Sequence, residues 1–166
     1  MLQTPNYSQH SSMDLTFDYD MSNKGWSKAL EVEGWPEALG LRSKETEEHT
    51  VRVAEMTVTL ARMAGIPESE IVHARRGALL HDVGRIGIPD TILLKPDKLT
   101  DNEWGVMREH PNYAYDLLYP IEYLRPCLPI PYSHHERWDG TGYPQGLKSE
   151  QIPLEARIFA VVDAYD

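Results

Sequence analysis

The sequence predicts a helical domain, and three observations carry that expectation. Between about residues 42 and 64 apolar side chains recur at helical spacing along two stripes. One is Val51, Ala54, Val58 and Ala61; the other is Val53, Met56, Leu60 and Met63, so the helix is expected to pack on more than one side. Thr100-Asp101-Asn102-Glu103 has the spacing of a capping box, which starts a further helix. Gly65 closes the first helix, while Pro67 and Pro153 open two others.

The 166 residues suit one domain with a real core. A formal net charge of -10 argues against a general nucleic-acid or anionic-membrane surface, where clustered Lys and Arg are wanted. Phosphates must then be handled locally, by metals or a few placed basic residues. Cys127 is the only cysteine, which excludes an intrachain disulfide and suits a reducing compartment. No apolar run approaches the ~20 residues that span a bilayer, and the first residues lack a basic start and an apolar segment. The expectation is a cytoplasmic protein, with neither a membrane nor a nucleic acid polymer as partner.

Residues 1 to about 22 are polar and without period, and residues 26–41 are interrupted by Gly34 and Pro36. Residues 1–40 therefore read as a flexible arm and connector, and residues 41–166 as the domain. On the first helix Glu45 and His49 lie four apart, hence on one face. Taken alone, Glu45 with Glu47 and Glu48 reads as a solvated acidic turn complementing the helix dipole. A second helix, about residues 67–83, carries Ile71, Ala74 and Ala78 and delivers His81-Asp82 at its inner end. A buried carboxylate is costly unless paired or bound to a metal. Residues 86–96 read as a loop with short extended pieces.

The helix from Thr100 carries Trp104, Met107 and His110, and Pro111 biases His110 toward a kink that turns its ring inward. Alone, His110 reads as a satisfied core histidine. Pro120, Pro126, Pro129 and Pro131 keep the next helices short, and a turn or two from Pro131 holds His134, His135 and Glu136. Adjacent histidines point about 100° apart on a helix. They converge on one ion through a distorted or terminal turn, or else serve different partners. The last helix is expected to bury Leu154, Ile158, Val161 and Tyr165. Asp163 falls beside Ala156 and Ala160, and Asp166 can share its face.

His49, His81, His110, His134 and His135, with Glu45, Asp82 and Asp163, make a ligand set large enough for two or three metal ions, with Asp82 able to bridge. Nitrogen-rich ligation with carboxylates favours iron, manganese, zinc or nickel over magnesium. The order of motifs closely resembles the HD-GYP subgroup of the HD phosphohydrolase superfamily. The likeness rests on Glu45-x-x-x-His49, His81-Asp82-Val83-Gly84, Gly87-Ile88-Pro89-Asp90, Glu109-His110-Pro111, and the run from His134-His135-Glu136 through Gly142-Tyr143-Pro144 to Asp163.

That resemblance implies an all-α, HD-domain-like helical bundle around a bi- or trinuclear metal site, with iron foremost. It implies hydrolysis of cyclic di-GMP to the linear dinucleotide pGpG or on to GMP. By position, His49, His81, Asp82 and Asp163 match the superfamily's ligand quartet. His110, His134 and His135 match the set that adds a second metal, and Glu45 the carboxylate found where a third binds. His81 and Asp82, with Arg85, are then the expected catalytic residues. Gly142, Tyr143 and Pro144 match the signature loop, expected to position substrate or meet signalling partner domains. Two ions side by side can clamp a phosphodiester and lower the pKa of a shared water, so no side-chain nucleophile is required.

Two departures stand out. The family usually has Lys where this chain has Arg85, which can hold a phosphate oxygen but cannot give up a proton at ordinary pH. Family members also continue past the Asp163 region with Arg and Lys residues that grip the dinucleotide, so the domain is expected to be incomplete at its C-terminal end. The alternatives to a cyclic di-GMP phosphodiesterase are a catalytically weak or inactive signalling module and a phosphohydrolase of another cyclic dinucleotide or nucleotide.

Overall fold

A computed structural model describes residues 47–166, with side chains from Glu48 onward. The arm and connector expected over residues 1–40, and Glu45, lie outside the described residues. Helix α1 (Glu47–Met63) turns through Gly65 into α2 (Glu68–Leu79), and the two pack as a hairpin. A 3-10 turn (Val83–Gly87) leads to the short α3 (Asp90–Leu93), then α4 (Asp101–Met107) and α5 (His110–Leu118). A second 3-10 turn (Glu122–Cys127), α6 (Pro129–Ser133), a third 3-10 turn (Ser149–Gln151) and α7 (Leu154–Tyr165) complete the described chain. No strand occurs among the described residues, so the fold is all-α as expected.

The core runs from Val53 and Ala54 of α1 through Ala74, Ala78 and Leu79 of α2 to Ala114 and Leu118 of α5. Phe159 and Val162 of α7 close it, and Phe159 is fully buried. Small residues on α2 let neighbours come close, which is how a tightly packed interior brings polar groups from several elements to one place. The capping box at α4 forms as its residues predict: Glu103 N–H donates to Thr100 Oγ1 at 3.4 Å, and Thr100 N–H donates to Glu103 Oε2 at 2.7 Å.

Several expected boundaries shift, each for a local reason. The α-helical part of α2 ends at Leu79, and His81 and Asp82 stand in the turn beyond it. The chain tightens there because Gly84 docks on α5: a Cβ at Gly84 would overlap His110 O and lie 2.6 Å from Ala114 N. The helix from Thr100 stops at Met107 instead of kinking, and His110 begins α5 with Pro111 in its first turn, where a missing N–H costs little. Within the expected loop at residues 86–96, residues 90–93 form a helical turn. His134 and His135 follow α6 in a turn instead of lying within it.

The buried stripe of α7 also differs. Leu154, Val161 and Tyr165 are exposed, and the face turned inward is Ala156, Ile158, Phe159 and Val162. On α1, Val51 and Met63 are likewise exposed. Helix α1 packs on α2 and α7, and α7 on α1 and α6, and these contacts decide which of two adjacent apolar stripes is covered.

Candidate metal centre

Seven of the eight sequence-predicted ligands lie among the described residues, and the fold gathers all seven. They fall into two groups, Asp82, His110, His134 and His135 in one, and His49, His81 and Asp163 in the other. Within each group one ligand atom per residue lies within 4.8 Å of the others. Asp82 stands at the seam between the groups. Its Oδ1 is 3.3 Å from His110 Nε2 and 3.9 Å from His134 Nε2, while its Oδ2 is 3.1 Å from His81 Nε2. Arg85 reaches the same Oδ2 at 2.7 Å. In the other group His49 Nε2 faces Asp163 Oδ1 at 3.6 Å.

Backbone carbonyls orient the rings. His81 Nδ1 lies 2.8 Å from Ala78 O, His110 Nδ1 2.9 Å from Met107 O, and His134 Nδ1 3.1 Å from Ile130 O. A carbonyl only accepts, so each Nδ1 carries the proton and each neutral ring turns a bare Nε2 lone pair inward. Phe159 supports two of these rings, 4.8 Å from His81 and 5.9 Å from His134, centroid to centroid. Burial, the main cause in each case, holds the His110 imidazole below its ordinary value, His134 well below it, and His135 down at about 4. These rings are neutral near pH 7, the state in which imidazole binds a metal.

The donor set fits a cation. With both Nδ1 atoms donating outward, His110 Nε2 and His134 Nε2 face each other as acceptors at 3.3 Å, beside the Asp82 carboxylate. Three lone-pair donors converging without a shared proton repel one another unless a positive ion sits between them. Their spacing is also about what metal–nitrogen bonds of ~2.1 Å subtend at tetrahedral angles.

The HD domain family profile matches residues 36–166. The chain belongs to the HD domain family. The motif-based recognition of its HD-GYP subgroup agrees with the relatives. This HD domain is 43% identical over 131 residues to the cyclic di-GMP phosphodiesterase response regulator RpfG of Xanthomonas campestris, a match covering 78% of this chain and 35% of that protein. It is 40% identical to a 3'3'-cGAMP-specific phosphodiesterase of Vibrio cholerae, covering 78% of this chain and 25% of that protein. A cyclic di-GMP phosphodiesterase of Thermotoga maritima is 43% identical, over 75% of this chain and 34% of its own. The chain thus spans a quarter to about a third of the length of these relatives. Among solved structures, Bd1817, a HDG"Y"P protein from Bdellovibrio bacteriovorus, superposes with a TM-score of 0.60 at 23% identity, covering 86% of this chain and 46% of that one, and shows the shared fold. The family implies a divalent metal, and the donor set described above suits one.

Around the HD centre, sequence reasoning left two supporting groups without a role. Asp166 does share the face of Asp163, and its Oδ2 accepts from His49 Nδ1 at 2.6 Å while Arg52 grips both its oxygens at 2.9 Å. An Arg52–Asp166–His49 chain therefore aims His49 Nε2 at Asp163, the outer-sphere arrangement that fixes imidazole tautomers at metal sites. Arg52 at helical spacing from His49 was the available signal. Glu136 is the second group. It is buried, and its two carboxylate oxygens accept from Gln145 N–H at 2.7 Å and Leu147 N–H at 2.9 Å.

That clamp sets the Gly142-Tyr143-Pro144 loop. Tyr143 N–H donates to His135 O at 3.2 Å, and the Tyr143 ring stacks on the His135 ring at 4.7 Å. Gly142 is obligatory because a Cβ there would lie 2.5 Å from Glu136 Cα. The Tyr143–Pro144 peptide is cis. Burial pushes the Tyr143 phenol up to about 12, so it stays protonated. The loop is thus one wall of a hollow of about 410 Å³ that opens beside His134 and His135. Among the described residues no helix is long and apolar enough to cross a membrane.

Proposed function

We propose that this chain is the hydrolytic domain of a metal-dependent cyclic dinucleotide phosphodiesterase, cleaving cyclic di-GMP to pGpG or GMP. The observation that carries it is the seam at Asp82, where one carboxylate has an oxygen turned toward each of two histidine-rich groups. The names of the relatives supply the substrate class. His49, His81, Asp82 and Asp163 would hold one ion, and Asp82, His110, His134 and His135 a second. Glu45 is the expected carboxylate for a third. Iron is our first choice, with manganese, zinc or nickel as alternatives for a nitrogen-rich set.

Held by these residues, divalent ions would supply Lewis acidity, acidifying a bound water and polarising phosphoryl oxygens. The chain's own residues supply the rest. His81, His110 and His134 keep their protons on Nδ1, committed to backbone carbonyls, so they serve as ligands and not as proton donors to a leaving group. Arg85, with its guanidinium 2.7 Å from the Asp82 oxygen that also faces His81, is placed to stabilise negative charge growing on a phosphate. Preorganised charge of this kind costs no rearrangement at the moment of reaction.

A second reading is favoured by the Vibrio cholerae relative named for 3'3'-cGAMP, since it matches nearly as well. One experiment tests both. The protein, purified without oxygen and loaded with iron or manganese, is offered cyclic di-GMP and 3'3'-cGAMP, and linear products are separated by chromatography. We expect cleavage of cyclic di-GMP that a His81→Ala/Asp82→Ala variant lacks. Faster cleavage of 3'3'-cGAMP moves the assignment to that substrate, and cleavage of neither overturns the phosphodiesterase reading.

A further inference from the structure

The hollow beside the histidines holds a cation that the metal-centred chemistry leaves unused. Arg108, just past the end of α4, lies with its guanidinium carbon 5.6 Å from the centroid of the Tyr143 ring and lines the hollow with His134, His135 and Thr141. Among the described residues no carboxylate stands within ion-pair distance of it, although the chain as a whole carries an excess of acids, -10 at neutral pH. The other basic side chains about the site are engaged: Arg85 with Asp82, Arg52 with Asp166, and Arg137 with Asp139 at 3.8 Å. An arginine held over an aromatic ring by cation–π attraction and lacking a carboxylate partner has N–H donors open to an anion.

Position adds chemistry. Tyr143 is the shared wall, stacked at 4.7 Å on His135 and facing Arg108, so the free guanidinium stands one aromatic ring away from the proposed metal ligands. The wall is rigid, because Glu136 clamps the loop and Gly142 is locked against the Glu136 backbone. In a cyclic dinucleotide the two phosphodiesters are joined on each side by one ribose edge. When one phosphate reacts at the histidines, the other must therefore lie close by.

Resting on the phosphodiesterase reading, we propose that Arg108 is a second phosphate grip: it binds the non-reacting phosphate of a cyclic dinucleotide in the hollow walled by Tyr143. It sets affinity and preference for substrates with two phosphodiesters and does not act on the bond that breaks. Losing a charge-assisted hydrogen bond to phosphate weakens binding by about tenfold or more.

The test compares the wild-type protein with Arg108→Met and Arg108→Lys on cyclic di-GMP and on bis(p-nitrophenyl) phosphate, a diester with no second phosphate. For Arg108→Met we expect KM for cyclic di-GMP to rise about tenfold or more, with kcat moving far less. The preference for cyclic di-GMP over the simple diester, as a ratio of kcat/KM values, should fall by a similar factor, and Arg108→Lys should recover part of it. Calorimetric titration of cyclic di-GMP into each protein with EDTA present reads the grip without turnover, and Arg108→Met should bind about tenfold more weakly there too. An unchanged preference ratio together with unchanged binding in EDTA overturns the proposal, as does an equal loss on both diesters. If the wild-type protein cleaves neither diester, the phosphodiesterase reading fails instead, and the EDTA titration still decides whether Arg108 grips the dinucleotide.

Discussion

Asp82 Oδ1 stands 3.3 Å from His110 Nε2, while the other oxygen of the same carboxylate faces His81. One side chain thus serves two groups of donors, one drawn from residues 110–135 and the other from residues on both sides of that stretch. Changing Asp82 to Asn keeps the shape and removes the charge. Even outer-sphere changes at metal sites cost about 10- to 100-fold in affinity, so a shared ligand should cost at least that for both ions. We expect elemental analysis of Asp82→Asn to find less than half the metal of wild type, with helical circular dichroism retained.

A milder effect is expected one step out. Asp166 accepts from His49 and is gripped by Arg52, but it touches no other proposed ligand. Asp166→Ala should release the His49 ring from its tautomer and weaken metal binding by about 10-fold or more. Competition against a chromophoric chelator measures this directly, and Asp166→Glu should restore part of the loss.

Much of this was legible in the residues. The helical character and the capping box at Thr100 follow from spacing and residue type, while the gathering of His49, His81, Asp82, His110, His134, His135 and Asp163 is legible through the order of motifs shared with the family rather than from any one residue. The buried face of α7 did not. Leu154, Ile158, Val161 and Tyr165 form as good a helical stripe as the one containing Phe159 and Val162, and only the partners supplied by α1 and α6 decide between them. The end of α2 was hidden for a similar reason. Nothing local stops a helix at Leu79; the close approach of Gly84 to α5 does, and that contact is remote in sequence. Glu136 was visible only as part of a motif, since its partners are backbone N–H groups that carry no sequence signal.

The Glu136 clamp makes its own prediction. A buried carboxylate accepting two backbone N–H groups contributes about 1.5–3 kcal/mol, and its removal leaves both donors unsatisfied. Glu136→Ala should lower stability by about that amount in urea titrations. The amides of Gln145 and Leu147 should then exchange with deuterium faster, while those at the centre of α1 keep their protection.

Acid should loosen the start of α4. Lys95 and the Thr100 cap hold the Glu103 carboxyl at about 2, against an ordinary value of 4.5. A carboxyl whose value is depressed by folding stabilises the folded state fully above the ordinary value, and that stability drains away as pH falls toward the folded one. The difference in urea midpoint between wild type and Glu103→Gln should therefore be constant above about pH 4.5 and shrink steadily toward pH 2. A gap that stays the same at pH 2.5 and pH 6 would contradict the ion pair.

The leash from each Nδ1 of His81, His110 and His134 to a carbonyl within its own preceding turn has a consequence for assembly. Donor polarity is thus set by contacts that are local in sequence and independent of which distant turn supplies the facing ligand. Tertiary packing then has only to bring together rings whose receptive nitrogens already point the same way, so a substitution in one turn leaves the polarity of the other imidazoles intact.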